Sequence, residues 1–262
     1  MLKSCALLAA LLGLALSGPA SAQSAARLLP GWQTENGQRM IGVEILLEPG
    51  WKTYWRHPGE GGIPPQFDWT GSANIQQTEV YYPAPSVYYD YGMRAIGYKD
   101  RVVFPVALTP QTPGAPVDVA LSFFYGVCEE VCIPVQTDFV ARLAPGDAEG
   151  EEAIRAALDA RPRSGADVGI ARHRCRIRPD GEVFALTATL TGRVAGAEFA
   201  MFDTRSDQIW ITTERVEGDA AGLTVHATLE YFGDGAFAFD RSDIRLTLFD
   251  AEGAIVLEGC PA

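Results

Sequence analysis

Residues 117–143 constrain the fold more than any other part of the chain. Apolar side chains alternate through Val117, Val119, Leu121, Phe123 and Tyr125. The alternation resumes with Ile133, Val135, Thr137, Phe139, Ala141 and Leu143. Period two on both sides of a short break predicts a β-hairpin. Cys128 and Cys132 flank the break, leaving Glu129, Glu130 and Val131 as the connection, a common hairpin loop length. Residues flanking such a loop face each other with Cα atoms about 4.5–5.5 Å apart, within the roughly 4.4–6.8 Å that a disulfide accepts. The hairpin tip is therefore expected to carry an exposed disulfide that opens and closes.

The N-terminus has the layout of a cleaved export leader. Lys3 is basic, Ala6 to Leu16 is apolar, and Ala20-Ser21-Ala22 is a small-residue cleavage site. Residues 1–22 are read as this leader, with the mature chain starting at Gln23. The apolar run is shorter than the ~20 residues a membrane span needs, so the mature chain is expected to have no span. Cys5 leaves with the leader and five cysteines become four. An even count in an exported chain points to an oxidising compartment and up to two disulfides, here the periplasm. With Cys128 and Cys132 paired at the hairpin, Cys175 and Cys260 are expected to form a second, structural bond across the C-terminal unit. In the chain-entropy picture its loop of about 86 residues stabilises by roughly 4.6 kcal/mol, against about 2 kcal/mol for the hairpin bond. The formal charge is −12, and −13 without Lys3. A chain this acidic is a poor match for nucleic acid or anionic lipid.

Turn signals divide the rest. Residues 38–48 alternate as a strand. Residues 48–65 are rich in Gly and Pro and read as loop, with Trp51, Tyr54, Trp55 and Trp69 in or near them. Residues 80–98 read as a second loop region, with six tyrosines. Val102 to Leu108 is a strand, and Pro105 within it predicts an edge or a bulge. Ala153, Ile154, Ala157 and Leu158 fall at helical spacing after an acidic first turn. Beyond Cys175, short strands at 182–190, 199–202, 208–213, 222–229, 243–249 and 254–258 alternate with turn signals. The expected fold is all-β: two immunoglobulin-like β-sandwich domains joined by a short helical linker. The boundaries are 23–145, 146–164 and 165–262.

Three blocks carry a resemblance. They are Trp51-Lys52-Thr53-Tyr54-Trp55-Arg56-His57-Pro58-Gly59 with Gly62-Ile63-Pro64-Pro65 and Phe67-Asp68-Trp69; Ile96-Gly97-Tyr98 with Val103-Phe104-Pro105-Val106; and Tyr125-Gly126-Val127-Cys128 with Val131-Cys132-Ile133-Pro134. In that order they resemble the N-terminal periplasmic domain of the thiol:disulfide interchange protein DsbD family, above all its copper-tolerance branch, ScsB. The likeness covers about 27–145. Over 165–262 it rests on a cysteine near each end and on Asp240-Arg241-Ser242. The resemblance implies an immunoglobulin-like sandwich that relays electrons as a component of a protein-disulfide reductase. It also implies thioredoxin-like periplasmic partners and a separate membrane electron donor, since the chain carries neither of those domains. The best-known members place five residues between their cysteines, where this chain has three.

The resemblance assigns the attacked sulfur to Cys132 and the resolving role to Cys128. It also implies an aromatic cap over the disulfide, for which Tyr88, Tyr89 and Tyr91 in 85–98 are the candidates. Glu129 and Glu130 beside the sulfurs disfavour thiolate, and no Lys, Arg or His lies in the loop to oppose them. Trp51, Trp55 and Trp69 are read as sandwich core and rim, and Arg56 calls for a carboxylate that the sequence does not name. His57, His173 and His226 lie far from the cysteines in sequence, so no metal site and no cofactor is expected. No Gly-x-Ser-x-Gly or His-Glu-x-x-His run points to a hydrolase. The alternative class is a ligand- or protein-binding β-sandwich with purely structural disulfides. It predicts that function survives loss of both hairpin cysteines.

Overall fold

The computed structural model describes residues 23–262 except 91, 193–195, 207, 220–221 and 234–239. The leader predicted at 1–22, and Tyr91, lie outside the described residues. Ten strands come first: β1 (Ser24–Gln33), β2 (Arg39–Leu47), β3 (Lys52–Gly59), β4 (Gln66–Asp68), β5 (Gln77–Val80), β6 (Ser86–Asp90), β7 (Met93–Lys99), β8 (Arg101–Thr109), β9 (Val117–Cys128) and β10 (Cys132–Leu143). A helix, α1 (Glu151–Asp159), follows. Then come β11 (Arg163–Ser164), β12 (Ile170–Asp180), β13 (Val183–Gly192), β14 (Phe199–Thr204), β15 (Ile209–Asp219), β16 (Gly222–Tyr231), β17 (Ile244–Asp250) and β18 (Gly253–Glu258).

The chain is all-β, arranged as sandwiches. One pairs a sheet ordered β1-β2-β8-β5 with a sheet ordered β10-β9-β3-β7-β6, in which β4 also pairs with β9. The other pairs β11-β18-β17-β14 with β12-β13-β16-β15. Alternation sets which side chains enter each core. Ile41, Val43 and Ile45 meet Phe123, Tyr125, Ile96 and Trp55 in the first. Leu186, Ala188 and Leu190 meet Leu246, Leu248 and Phe202 in the second. Trp55 is fully buried, while Trp51 and Trp69 pack half-buried at the margin of the first core.

Three departures from the sequence reading have physical causes. Residues 48–65, read as loop, contain β3, which lies between β9 and β7. Lys52, Thr53, Tyr54 and Trp55 are all buried, so both faces of this strand are covered. A strand covered on both faces loses the polar–apolar alternation by which one is recognised. Residues 80–98, likewise read as loop, hold β6 and β7. Pro105 is at neither an edge nor a bulge: β8 runs between β2 and β5, with Pro105 opposite Gly42 in unbroken register. Its pairing with β5 ends at Val106–Val80, and the Pro105 carbonyl accepts from the Tyr81 amide beyond that end. The N–H that proline lacks would have donated back to the Tyr81 carbonyl, so the pairing with β5 stops at this point.

The second sandwich also gains a strand. In β12, exposed Arg172, Arg174, Arg176 and Arg178 alternate with His173, Cys175 and Ile177, which point inward. It is an edge strand, and a charged outer face is a common guard against edge-to-edge pairing. Helix α1 buries Ile154 and Ala157 against Leu29, Met40, Val103 and Ala107 on the outer face of the first four-stranded sheet.

Contacts between the sandwiches are close. Met201, Phe249 and Ala254 enter the first core, with Phe249 edge-on to Trp55 at 6.2 Å between ring centroids. The carboxylate that Arg56 lacked in the sequence is Asp203: Arg56 Nη2 donates to its Oδ2 at 3.2 Å. Arg245 Nε donates to the other oxygen of Asp203 at 2.6 Å.

Candidate functional site

The β9–β10 ladder runs unbroken from Val117–Leu143 to Cys128–Cys132. It brings the two cysteines face to face with Cα atoms 4.1 Å apart, and they are disulfide-bonded. They differ in access. Cys128 is 6% exposed, whereas Cys132 is open to solvent. Sheet order explains the difference: β10 is the end strand, while β9 has β3 on its other side. The bond lies on the outer face of its sheet, away from the main core.

A small apolar cluster supports the inner sulfur: Tyr54, Ala95 and Cys128, with Tyr88 packed against them. Tyr54 and Cys132 also meet directly, with Oη 3.1 Å from Sγ. A disulfide sulfur carries no proton, so the tyrosine donates. Gly62 fixes the ring: at φ +143 its missing Cβ would collide with the Tyr54 ring. Gly126 admits the same loop, because a Cβ there would run into Ile63, whose carbonyl accepts from the Gly126 amide at 3.3 Å. The Gly61-Gly62-Ile63 stretch thus holds Tyr54 under the disulfide.

The candidate cap residues separate. Tyr88 pairs with Ala95 across β6 and β7 and shares its face, over the disulfide cluster. The Lys99 ammonium lies 4.5 Å from its ring centre. Tyr89 falls on the opposite face and is 70% exposed, beside Arg94. The pleat therefore leaves Tyr88 as the tyrosine of this pair that touches the cluster.

Two residues of the site carried no assignment in the sequence reading: Tyr54 and Lys52. Lys52 lies directly opposite Cys128 across β3 and β9, and opposite Lys99 across β3 and β7. The loop contains no cation, but the neighbouring strand supplies one. Lys52 and Tyr54 two residues apart, alternating with Thr53 and Trp55, was the available signal. It was hidden because all four are buried. Around the sulfurs, Glu129 and Glu130 are exposed, with the Glu129 carboxylate over Gly50.

The remaining cysteines, Cys175 and Cys260, are bonded to each other, with Cα atoms 5.2 Å apart. They are 6% and 1% exposed and sit in the second core. The Cys175 amide also donates to the Pro261 carbonyl at 2.6 Å. The histidines lie elsewhere. His57 faces Trp210 at the sandwich junction with 6.2 Å between rings, and burial pushes its pKa below the ordinary imidazole value. His173 Nε2 lies 3.3 Å from the Gly259 carbonyl. His226 lies 3.5 Å from the Glu217 carboxylate.

The comparisons agree with this architecture. Residues 25–144 match the family described as thiol:disulfide interchange protein DsbD, N-terminal. A comparison with curated protein sequences finds no match. Among solved structures, the fold matches the N-terminal periplasmic domain of ScsB from Proteus mirabilis with a TM-score of 0.65 and 22% identity, over 94% of this chain and 97% of that one. Residues 25–144 thus form a DsbD N-terminal-like domain, and the chain around them has the fold of the ScsB N-terminal periplasmic region.

Proposed function

We propose that this is a periplasmic thiol–disulfide interchange protein whose exchanging bond is Cys128–Cys132. The observation that carries the reading is the unequal access to the two sulfurs. Exchange needs the attacking sulfur, the attacked sulfur and the leaving sulfur close to one line. The bond runs broadly across the strands from β9 to β10, and beyond β10 the sheet ends. A partner thiolate therefore approaches Cys132 from the open edge. The same approach to Cys128 would pass through β3.

Two attacks complete the exchange. The partner thiolate bonds to Sγ of Cys132, the Cys128–Cys132 bond breaks, and its electron pair stays on Cys128 as a thiolate. A second partner thiolate then attacks the partner's own sulfur in the mixed disulfide and leaves Cys132 reduced. In the other direction, the Cys132 thiolate attacks a partner disulfide. Cys128 then closes back onto Cys132 and releases the partner as a dithiol. Partners of this kind are thioredoxin-like proteins and a membrane electron donor. Tyr88 is the shield in this reading, and Cys175–Cys260 is the holding bond, supported by its burial. The exchanging unit is 23–145, with 146–164 as connector and 165–262 as a second sandwich for docking or spacing.

Trapping tests the reading. Cys128→Ser removes the resolving sulfur, so a mixed disulfide between Cys132 and a thioredoxin-like partner should accumulate. If neither Cys128→Ser nor Cys132→Ser accumulates one, exchange at this hairpin is wrong. If only Cys132→Ser does, the two roles are reversed.

A further inference from the structure

Across the six-stranded sheet, Lys99, Lys52, Cys128 and Cys132 form one row of direct cross-strand neighbours. Side chains in such a row project from the same face, with neighbouring Cβ atoms about 4.5–5.5 Å apart. The open edge lies at the Cys132 end, so Lys52 stands behind the sulfur that leaves. Lys52 is 6% exposed, so solvent and salt screen its charge little. We propose that the Lys52 ammonium stabilises the thiolate that forms on Cys128 when its bond to Cys132 opens.

The proposal rests on the exchange reading above and names a residue that acts on its leaving group. When partner thiolate attacks Cys132, one negative charge passes from the partner sulfur to Cys128. Burial in the cluster of Tyr54, Ala95 and Tyr88 disfavours that charge, because a desolvated thiol resists ionisation. Glu129 and Glu130 on the loop disfavour it further. Tyr54 on β3 and Tyr88 on β6 bring no positive charge, and Lys99 on β7 stands one row position farther away, over the Tyr88 ring. Lys52 is the cation adjacent to Cys128 in the row. A thiol of lower pKa leaves faster, so the charge on Lys52 eases opening of the bond. Reaction in the other direction gains in its closing step, where Cys128 held ready as thiolate attacks Cys132 and releases the partner.

The test requires no partner. In the mature chain carrying Cys132→Ser, with Cys175–Cys260 intact, Cys128 is the free thiol, and its thiolate absorbance is followed against pH. It should ionise below the ordinary thiol value of about 8.5. Lys52→Met should raise that midpoint by about 1 unit or more, a tenfold loss of thiolate at a given pH. Lys52→Arg should keep it low. An unmoved midpoint in folded Lys52→Met overturns the proposal. Should Lys52→Met not fold, the parent decides: a Cys128 midpoint above 8.5 in Cys132→Ser also overturns it. Failure of the exchange reading shows separately, as absence of any mixed disulfide at Cys132, whatever the titration gives.

Discussion

The hydroxyl of Tyr54 lies 3.1 Å from Sγ of Cys132 and donates to it. In the reduced protein the same hydroxyl is expected to donate to a Cys132 thiolate and steady it. Hydrogen bonds to charged groups contribute about 1.5–3 kcal/mol, equivalent to roughly 1–2 pKa units. Tyr54→Phe in a Cys128→Ser background should therefore raise the Cys132 thiol midpoint by about that much. Its unfolding midpoint in urea should change little, since the ring and its packing remain.

Shielding is a property of Tyr88 and not of its neighbour. Tyr88→Ala uncovers the Cys128 side of the disulfide cluster and should speed reduction by a small thiol several-fold. Tyr89→Ala, at a side chain already 70% exposed on the other face, should leave the rate unchanged. Rapid-quench alkylation of each single variant gives both rates. Equal acceleration by the two substitutions would remove the shielding role of Tyr88.

The junction between sandwiches depends on one carboxylate. Asp203 receives both Arg56 and Arg245, and its side chain is 6% exposed. Asp203→Ala strands two cations in a largely buried junction, and breaking a buried ion pair typically costs about 3–5 kcal/mol. Arg56→Met combined with Asp203→Ala should cost less than the two single losses added together. Urea unfolding of the three variants measures the coupling.

His57 gives the junction a pH dependence whose sign is fixed. Burial holds its folded-state pKa below the ordinary value, with Asp203 opposing and Arg56 reinforcing the shift. As pH falls through about 6.5, the unfolded chain takes up a proton that the folded chain refuses. Stability from this group is fully present above that value and is lost as pH drops toward the lower folded pKa. His57→Gln should flatten the stability profile below pH 6.5 and leave it unchanged at pH 8.

The parts of this fold legible in the sequence are those with one wet face. The β9–β10 ladder reads directly because burial alternates along Val117 to Phe124 and again along 132–142. β3 was illegible for the opposite reason: Lys52, Thr53, Tyr54 and Trp55 are buried on both faces, and Pro58-Gly59 looks like a turn. β12 failed at the other extreme, since its arginines outnumber its inward apolar residues. The cysteine hairpin was visible as a local pattern. Its support by Tyr54 and Lys52 was not, because they reach it through sheet order and loop packing, which no local spacing encodes; Tyr88 was a candidate only through the family resemblance. The Arg56–Asp203 pair spans 147 positions and could be seen only once the sandwiches were packed.

In the native protein the hairpin bond should exchange at Cys132 while Cys175–Cys260 holds. The most direct measurement treats the oxidised native protein with excess small thiol, quenches with acid within seconds, and locates the adduct by tandem mass spectrometry. The thiol is expected on Cys132, with Cys128 free and Cys175–Cys260 intact until unfolding. An adduct appearing first on Cys128, Cys175 or Cys260 would contradict it.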